Sequence, residues 1–268
     1  MKRSSRVRVG ATVAVSALSL ALITGCGGDS GSGDSKDSAG MGSSPTAAAK
    51  ALSAAELGKR IISEQDLDGY EVKSADKGGK FAESKDQVTV VDAKCESLAY
   101  VLTGFAPGDE SAYVNRMATE KVAEPTSKGT SEESLDDIED SLKDIVGSTM
   151  TIVSLSSYDG GGAEQTMKSV SDAVAGCASG FTVSAKGQDT QKFTKVAEEK
   201  SSGSGDESVA FSVTGKTEGD TTTVHAEVVR HGSTVATYYS VSLAALAGKK
   251  DKYGIPAEII KAQAAKLG

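Results

Sequence analysis

From residue 51 onward, apolar positions recur at two periods, and the switches between them outline the elements of a folded domain. Leu57, Ile61 and Ile62 follow Ser53 at helical spacing. Glu56, three residues after that serine, completes a capping box, so a helix is predicted over Ser53 to Ile62. Tyr70 to Ser74 and Gln87 to Val91 read as strands. Cys95 to Leu102 reads as a short helix carrying Leu98, Val101 and Leu102, and Tyr113 to Thr119 as a further strand. Between Ser131 and Val146, Leu135, Ile138, Leu142 and Ile145 repeat every three or four residues and predict an amphipathic helix. Thr149 to Tyr158 is β-rich. The turn Asp159-Gly160-Gly161-Gly162 follows, and then a helix over Ala163 to Ala178 with Met167, Val170, Val174 and Cys177 on one side. Phe181 to Ser184 and Lys192 to Glu198 are predicted strands, and residues 201–206 a loop.

The last third is the most regular. Ser208 to Thr214, Thr221 to Arg230 and Thr234 to Leu243 are three β-rich runs, with His231-Gly232 suited to a tight hairpin between the last two. Ile255 to Leu267 closes the chain as a helix, with Pro256 tolerated near its start. Strands grouped late with helices around them predict an α+β fold: an antiparallel sheet with a C-terminal meander and helices packed on one face.

The first fifty residues share neither period. Met1 to Arg8 holds four cations and no acid, and Val9 to Ile23 holds no charge at all. That stretch is shorter than the roughly 20 residues a membrane-spanning helix needs, so it reads as a signal peptide over residues 1–25. It ends in Leu22-Ile23-Thr24-Gly25-Cys26, which resembles the lipobox of bacterial lipoproteins. The resemblance implies cleavage before Cys26 and a diacylglyceryl group on its thiol; ordinary secretion with a chance cysteine is the alternative. Two acyl chains suffice for stable anchoring. Residues 26–50 are mostly Gly, Ser, Asp and Ala, too poor in apolar surface to offset ordering entropy, and are expected to be a disordered tether with a span of roughly 25–30 Å. Residues 51–268 are then one extracytoplasmic domain, held by its lipid on the outer face of the cell membrane.

Export changes the charge balance. Removing Lys2, Arg3, Arg6 and Arg8 lowers the 29 basic residues to 25 against 37 acidic ones, a net of −12. Such a protein is repelled by nucleic-acid phosphates and anionic headgroups, so no nucleic-acid partner is expected, and contact with the bilayer falls to the acyl chains on Cys26. Of the three cysteines, Cys95 and Cys177 are left over. In an oxidising compartment they read as a disulfide worth roughly 4.5 kcal/mol on chain-entropy grounds, the alternative being two buried thiols.

The order of elements resembles the extracellular sensor domain of mycobacterial PknH-type receptor Ser/Thr kinases and the stand-alone lipoproteins that share it. Val90-Val91-Asp92-Ala93-Lys94-Cys95-Glu96-Ser97-Leu98 is similar to that family's strand, first cysteine and short helix. Residues 151–158 with the helix ending at Gly176-Cys177-Ala178 resemble its second cysteine helix, and Val228 to Val235 its late hairpin. Two departures stand out. The family usually has two disulfides and this chain can form one; the family often has a tryptophan before the second cysteine, where this chain has Val174-Ala175-Gly176. The resemblance implies an antiparallel sheet with packed helices and a groove for an unidentified small molecule, and no catalytic residue.

Candidate chemistry is sparse. His225 and Glu227 alternate onto one face of their strand with His231 further along, a minimal three-ligand metal set; alternation of a solvent-facing polar row accounts for the same pattern. The acids of residues 132–140 lack the glycine-containing calcium-loop pattern and read as a solvated helix face. Ser74-Ala75-Asp76-Lys77 matches the Ser-x-x-Lys seed of penicillin-binding enzymes without that family's other motifs. Residues 159–162 lack the Lys-Ser/Thr of a phosphate loop. The expectation is a sensor or binding domain for a small molecule or an envelope protein, without catalysis or cofactor. A lipid or glycolipid carrier is one alternative, and a metal-dependent hydrolase using His225, Glu227 and His231 another.

Overall fold

The structure, a computed structural model, describes residues 50–75, 82–121, 148–217, 220–246 and 252–268. Cys26, the expected leader, the expected tether up to residue 49 and the helix expected over Ser131 to Val146 lie outside the described residues.

Nine strands form one sheet: β1 (Tyr70–Lys73), β2 (Val88–Val90), β3 (Ala112–Glu120), β4 (Thr149–Ser157), β5 (Thr182–Ala185), β6 (Gln191–Glu199), β7 (Glu207–Thr217), β8 (Asp220–His231) and β9 (Thr234–Ser242). Their order is β1-β3-β4-β9-β8-β7-β6-β5-β2, and every neighbouring pair is antiparallel. The expected meander is β7-β8-β9. Strand β8 runs through His231, so the hairpin turn is Gly232-Ser233, and Gly232 takes φ +59°. Both edges are short: β1 has four residues and β2 three.

Among the described residues five α-helices accompany the sheet: α1 (Ala54–Arg60), α2 (Glu96–Leu102), α3 (Gly162–Gly176), α4 (Leu243–Leu246) and α5 (Ala257–Leu267). The α1 capping box forms as its sequence predicts, with Ser53 N–H donating to Glu56 Oε2 at 2.8 Å.

The α+β class, the antiparallel sheet and the single disulfide are observed as expected. The helices, however, occupy both faces of the sheet. On one face α2 and α3 pack on Phe211, Val213, Ala226, Val228 and Val235. On the other, α1 and α5 pack with Val153, Leu155, Ala236 and Tyr238. The central strands explain the second layer: nearly every residue of β4 and β9 is buried, so odd and even positions alike need a cover. Each large apolar side chain buried completely in either layer, such as Leu57, Leu98, Phe211 or Ile259, contributes about 1.5–3 kcal/mol.

Cys95 and Cys177 form a disulfide between the residue that precedes α2 and the residue that ends α3, with Cα atoms 6.0 Å apart. Both cysteines are buried within the core under those helices.

Candidate functional site

Helix α3 places two concave features among the described residues. Ala163, Thr166, Met167, Val170, Ala173 and Val174 recur every three or four residues and seat it across β6, β7 and β8. Its two flanks each border a cleft. Ser169 and Asp172 face one; Ser171, Val174 and Ala175 face the other.

The larger cleft, of about 830 Å³, lies between α2, α3 and two loops, with Lys85, Asp86, Glu96, Tyr100, Asp109 and Asp172 among its walls. Lys85 organises it. Its ammonium lies 2.9 Å from Glu110 Oε2, donates to the Gly108 carbonyl and stands 4.6 Å from the centre of the Tyr100 ring. Tyr100 donates its hydroxyl to Glu96 Oε1 at 2.9 Å; burial and that carboxylate push the phenol up to about 12. Tyr100 is thus neutral, with its hydroxyl proton committed to Glu96 and its ring forming part of the wall. Charged groups and an aromatic ring held in place before any ligand arrives suit recognition of a small polar molecule.

The smaller groove, of about 350 Å³, lies on the other flank of α3. Val174, Ala175 and Ala178 meet Val196, Glu198 and Val209 of β6 and β7 there. The disulfide holds the wall common to both clefts, because Cys177 ends α3 and Cys95 follows Lys94 at the larger cleft.

The residues singled out in the sequence lie elsewhere. His225 and Glu227 do share a sheet face, and each has its own partner. His225 Nδ1 is 2.9 Å from Glu199 Oε2, and its ring stands edge-on to Tyr253 at 4.8 Å. Glu227 is buried and accepts from Ser202 N–H at 2.9 Å and Ser202 Oγ at 2.5 Å, which holds the 201–206 loop against the sheet. Its cross-strand neighbour Tyr238 keeps a buried hydroxyl that has no partner among the described residues, and burial raises its pKa well above the ordinary value. His231 packs at the hairpin end with Nε2 buried and unpartnered there; burial lowers its pKa. Among the described residues no group of three or more His, Cys, Asp or Glu is placed to hold a metal ion.

Ser74 follows β1 outside any helix, and Asp76 and Lys77 lie outside the described residues. At the 159–162 turn the Asp159 carboxylate accepts from Ala51 N–H at 2.9 Å and Ser111 Oγ at 2.8 Å, and both bonds hold its pKa below the usual carboxylate range. That turn therefore fastens the start of the domain.

Sequence reading missed Lys85, Tyr100 and Glu198. Nothing in their local pattern marks them, since the clefts form only when residues about 70 positions apart, such as Tyr100 and Ser169, come together.

No helix among the described residues is long and apolar enough to cross a membrane. No family model matches the chain, and no curated protein matches it. Among solved structures the chain is similar to the crystal structure of the extracellular domain of PknH from Mycobacterium tuberculosis, at 13% identity over 81% of this chain and 95% of that one, with a TM-score of 0.46.

Proposed function

We propose that the protein is a lipoprotein, anchored through Cys26 on the outer face of the cell membrane, whose domain binds a small polar molecule as a sensor or binding component without catalysis. The observation that carries the binding reading is the 830 Å³ cleft, lined by pre-paired charges and Tyr100 and walled by a disulfide-braced helix. A buried disulfide suits an oxidising compartment, which agrees with the basic leader and the Leu22-to-Cys26 box. The cleft favours a polar ligand over a lipid cargo, because an acyl chain laid there would desolvate the Lys85–Glu110 pair and the carboxylates of Asp86, Asp109 and Asp172 while offering them no hydrogen bond.

Two measurements test this. Metabolic labelling with radioactive palmitate should mark the wild-type chain and leave Cys26→Ser unlabelled and released from the membrane fraction. Equal labelling of the two overturns the anchor. Native mass spectrometry after exposure to cell-envelope extract should retain a small molecule on the wild type and lose it with Tyr100→Ala. Retention unchanged by Tyr100→Ala overturns the assignment of the cleft.

A further inference from the structure

The smaller groove combines apolar walls with a carboxylate that the fold leaves unused. On β6, Val196 and Glu198 alternate onto the α3 side of the sheet, opposite Val213 and Phe211 of β7. Val196 is buried, whereas Glu198 is exposed at the groove and makes no hydrogen bond or ion pair with another described residue. The adjacent Glu199 differs, since its carboxylate is held by His225. Across the groove, α3 contributes Val174 and Ala175, with Ala178 just beyond it. No basic side chain is among the lining residues, and Ser171, Ser201 and Ser208 supply the other polar groups. Apolar walls beside an exposed carboxylate that no described residue engages complement an aliphatic stem that carries a cation.

We propose that this groove binds a primary ammonium group carried on an unbranched aliphatic stem, with the stem between α3 and β6–β7 and the ammonium on Glu198. At about 350 Å³ the groove suits a ligand at the small end of the usual range. Lysine side chains of peptides and free alkylamines share this chemistry. The proposal rests on the groove alone, apart from the lipid anchor and the larger cleft.

The test uses the full chain carrying Cys26→Ser and amide-resolved NMR titration with n-hexylammonium, n-butylammonium, n-hexanol and Nα-acetyllysine amide. Hexylammonium should shift amides of residues 171–178, 196–199 and 208–210. It should bind up to about fourfold tighter for each methylene added over butylammonium. Glu198→Gln should weaken hexylammonium about fivefold and leave hexanol unchanged. Ala175→Leu, an exposed helical position, should block both by filling the slot. Acetyllysine amide binding tighter than hexylammonium assigns the ammonium to a peptide, and the reverse assigns it to a free amine. Equal affinity for hexanol and hexylammonium, shifts confined to other residues, or insensitivity to Glu198→Gln overturns the proposal.

Discussion

Gln263 of the last helix accepts a hydrogen bond from the backbone N–H of Ile62, 201 residues earlier, at 3.0 Å. Its amide nitrogen donates to the Arg60 carbonyl at 2.8 Å, so one fully buried side chain satisfies two backbone groups at the end of α1. The Lys266–Asp66 ion pair and the Tyr70–Glu258 hydrogen bond join the same two ends of the domain. Gln263→Leu removes both amide bonds and leaves the Ile62 N–H buried without a partner. The expected loss is about 3 kcal/mol of unfolding free energy, read as a lower urea midpoint at unchanged slope.

The disulfide closes a long loop and braces the helix between the two clefts. The double variant Cys95→Ala/Cys177→Ala should lose about 4 kcal/mol, with reduction of the wild type producing a comparable drop in equilibrium unfolding. A loss below about 1 kcal/mol would show that packing of α3 on β6–β8 positions it without the crosslink.

Two glycines with positive φ should respond oppositely to substitution. At Gly205, with φ +68°, a Cβ would lie 2.3 Å from the Arg230 carbonyl oxygen, so Gly205→Ala should cost about 3 kcal/mol in thermal or urea unfolding. At Gly232, with φ +59°, nothing lies within 4 Å of the added carbon. Asparagine tolerates that conformation, so Gly232→Asn should stay within about 1 kcal/mol of wild type.

Acid should destabilise the domain in two windows. Burial depresses the His231 pKa in the folded state. The unfolded chain then takes up a proton first, and stability falls as pH drops from about 6.5 toward the folded value. Asp66, lowered by its bonds to Lys266 and Ser63, and Asp159, lowered by Ala51 N–H and Ser111, act further down. Their contributions are present above about pH 4 and are lost as pH falls through their folded values. Urea midpoints measured from pH 7 to pH 3 should show both declines. His231→Gln should flatten the upper one, and Asp66→Asn part of the lower.

Local patterns announced most elements. The strand expected over Tyr113 to Thr119 is β3 (Ala112–Glu120), and the helix expected to end at Ala178 stops at Gly176, where Cys177 caps it. Cysteine arithmetic gave the disulfide partners, because only two thiols remain once Cys26 is set aside. Periodicity carries no information on which strands pair across long separations, so the placement of β2 beside β5 was not legible. It is equally silent on the helical cover of the second face. The residue Gln263 illustrates the limit: a polar side chain within an Ala- and Lys-rich helix reads as solvent-facing, and only the arrival of α1 turns it into a buried clamp. Lys85 and Tyr100 become neighbours in the same way.

The sheet's brief outer strands bear on crowding. Crowded molecules collide often, and open strand margins are where one chain recruits another. With three residues in one outermost strand and four in the other, neither offers a neighbour more than a few backbone groups on which to extend the ladder. Crowded copies of this protein should therefore be poor at pairing through β1 or β2.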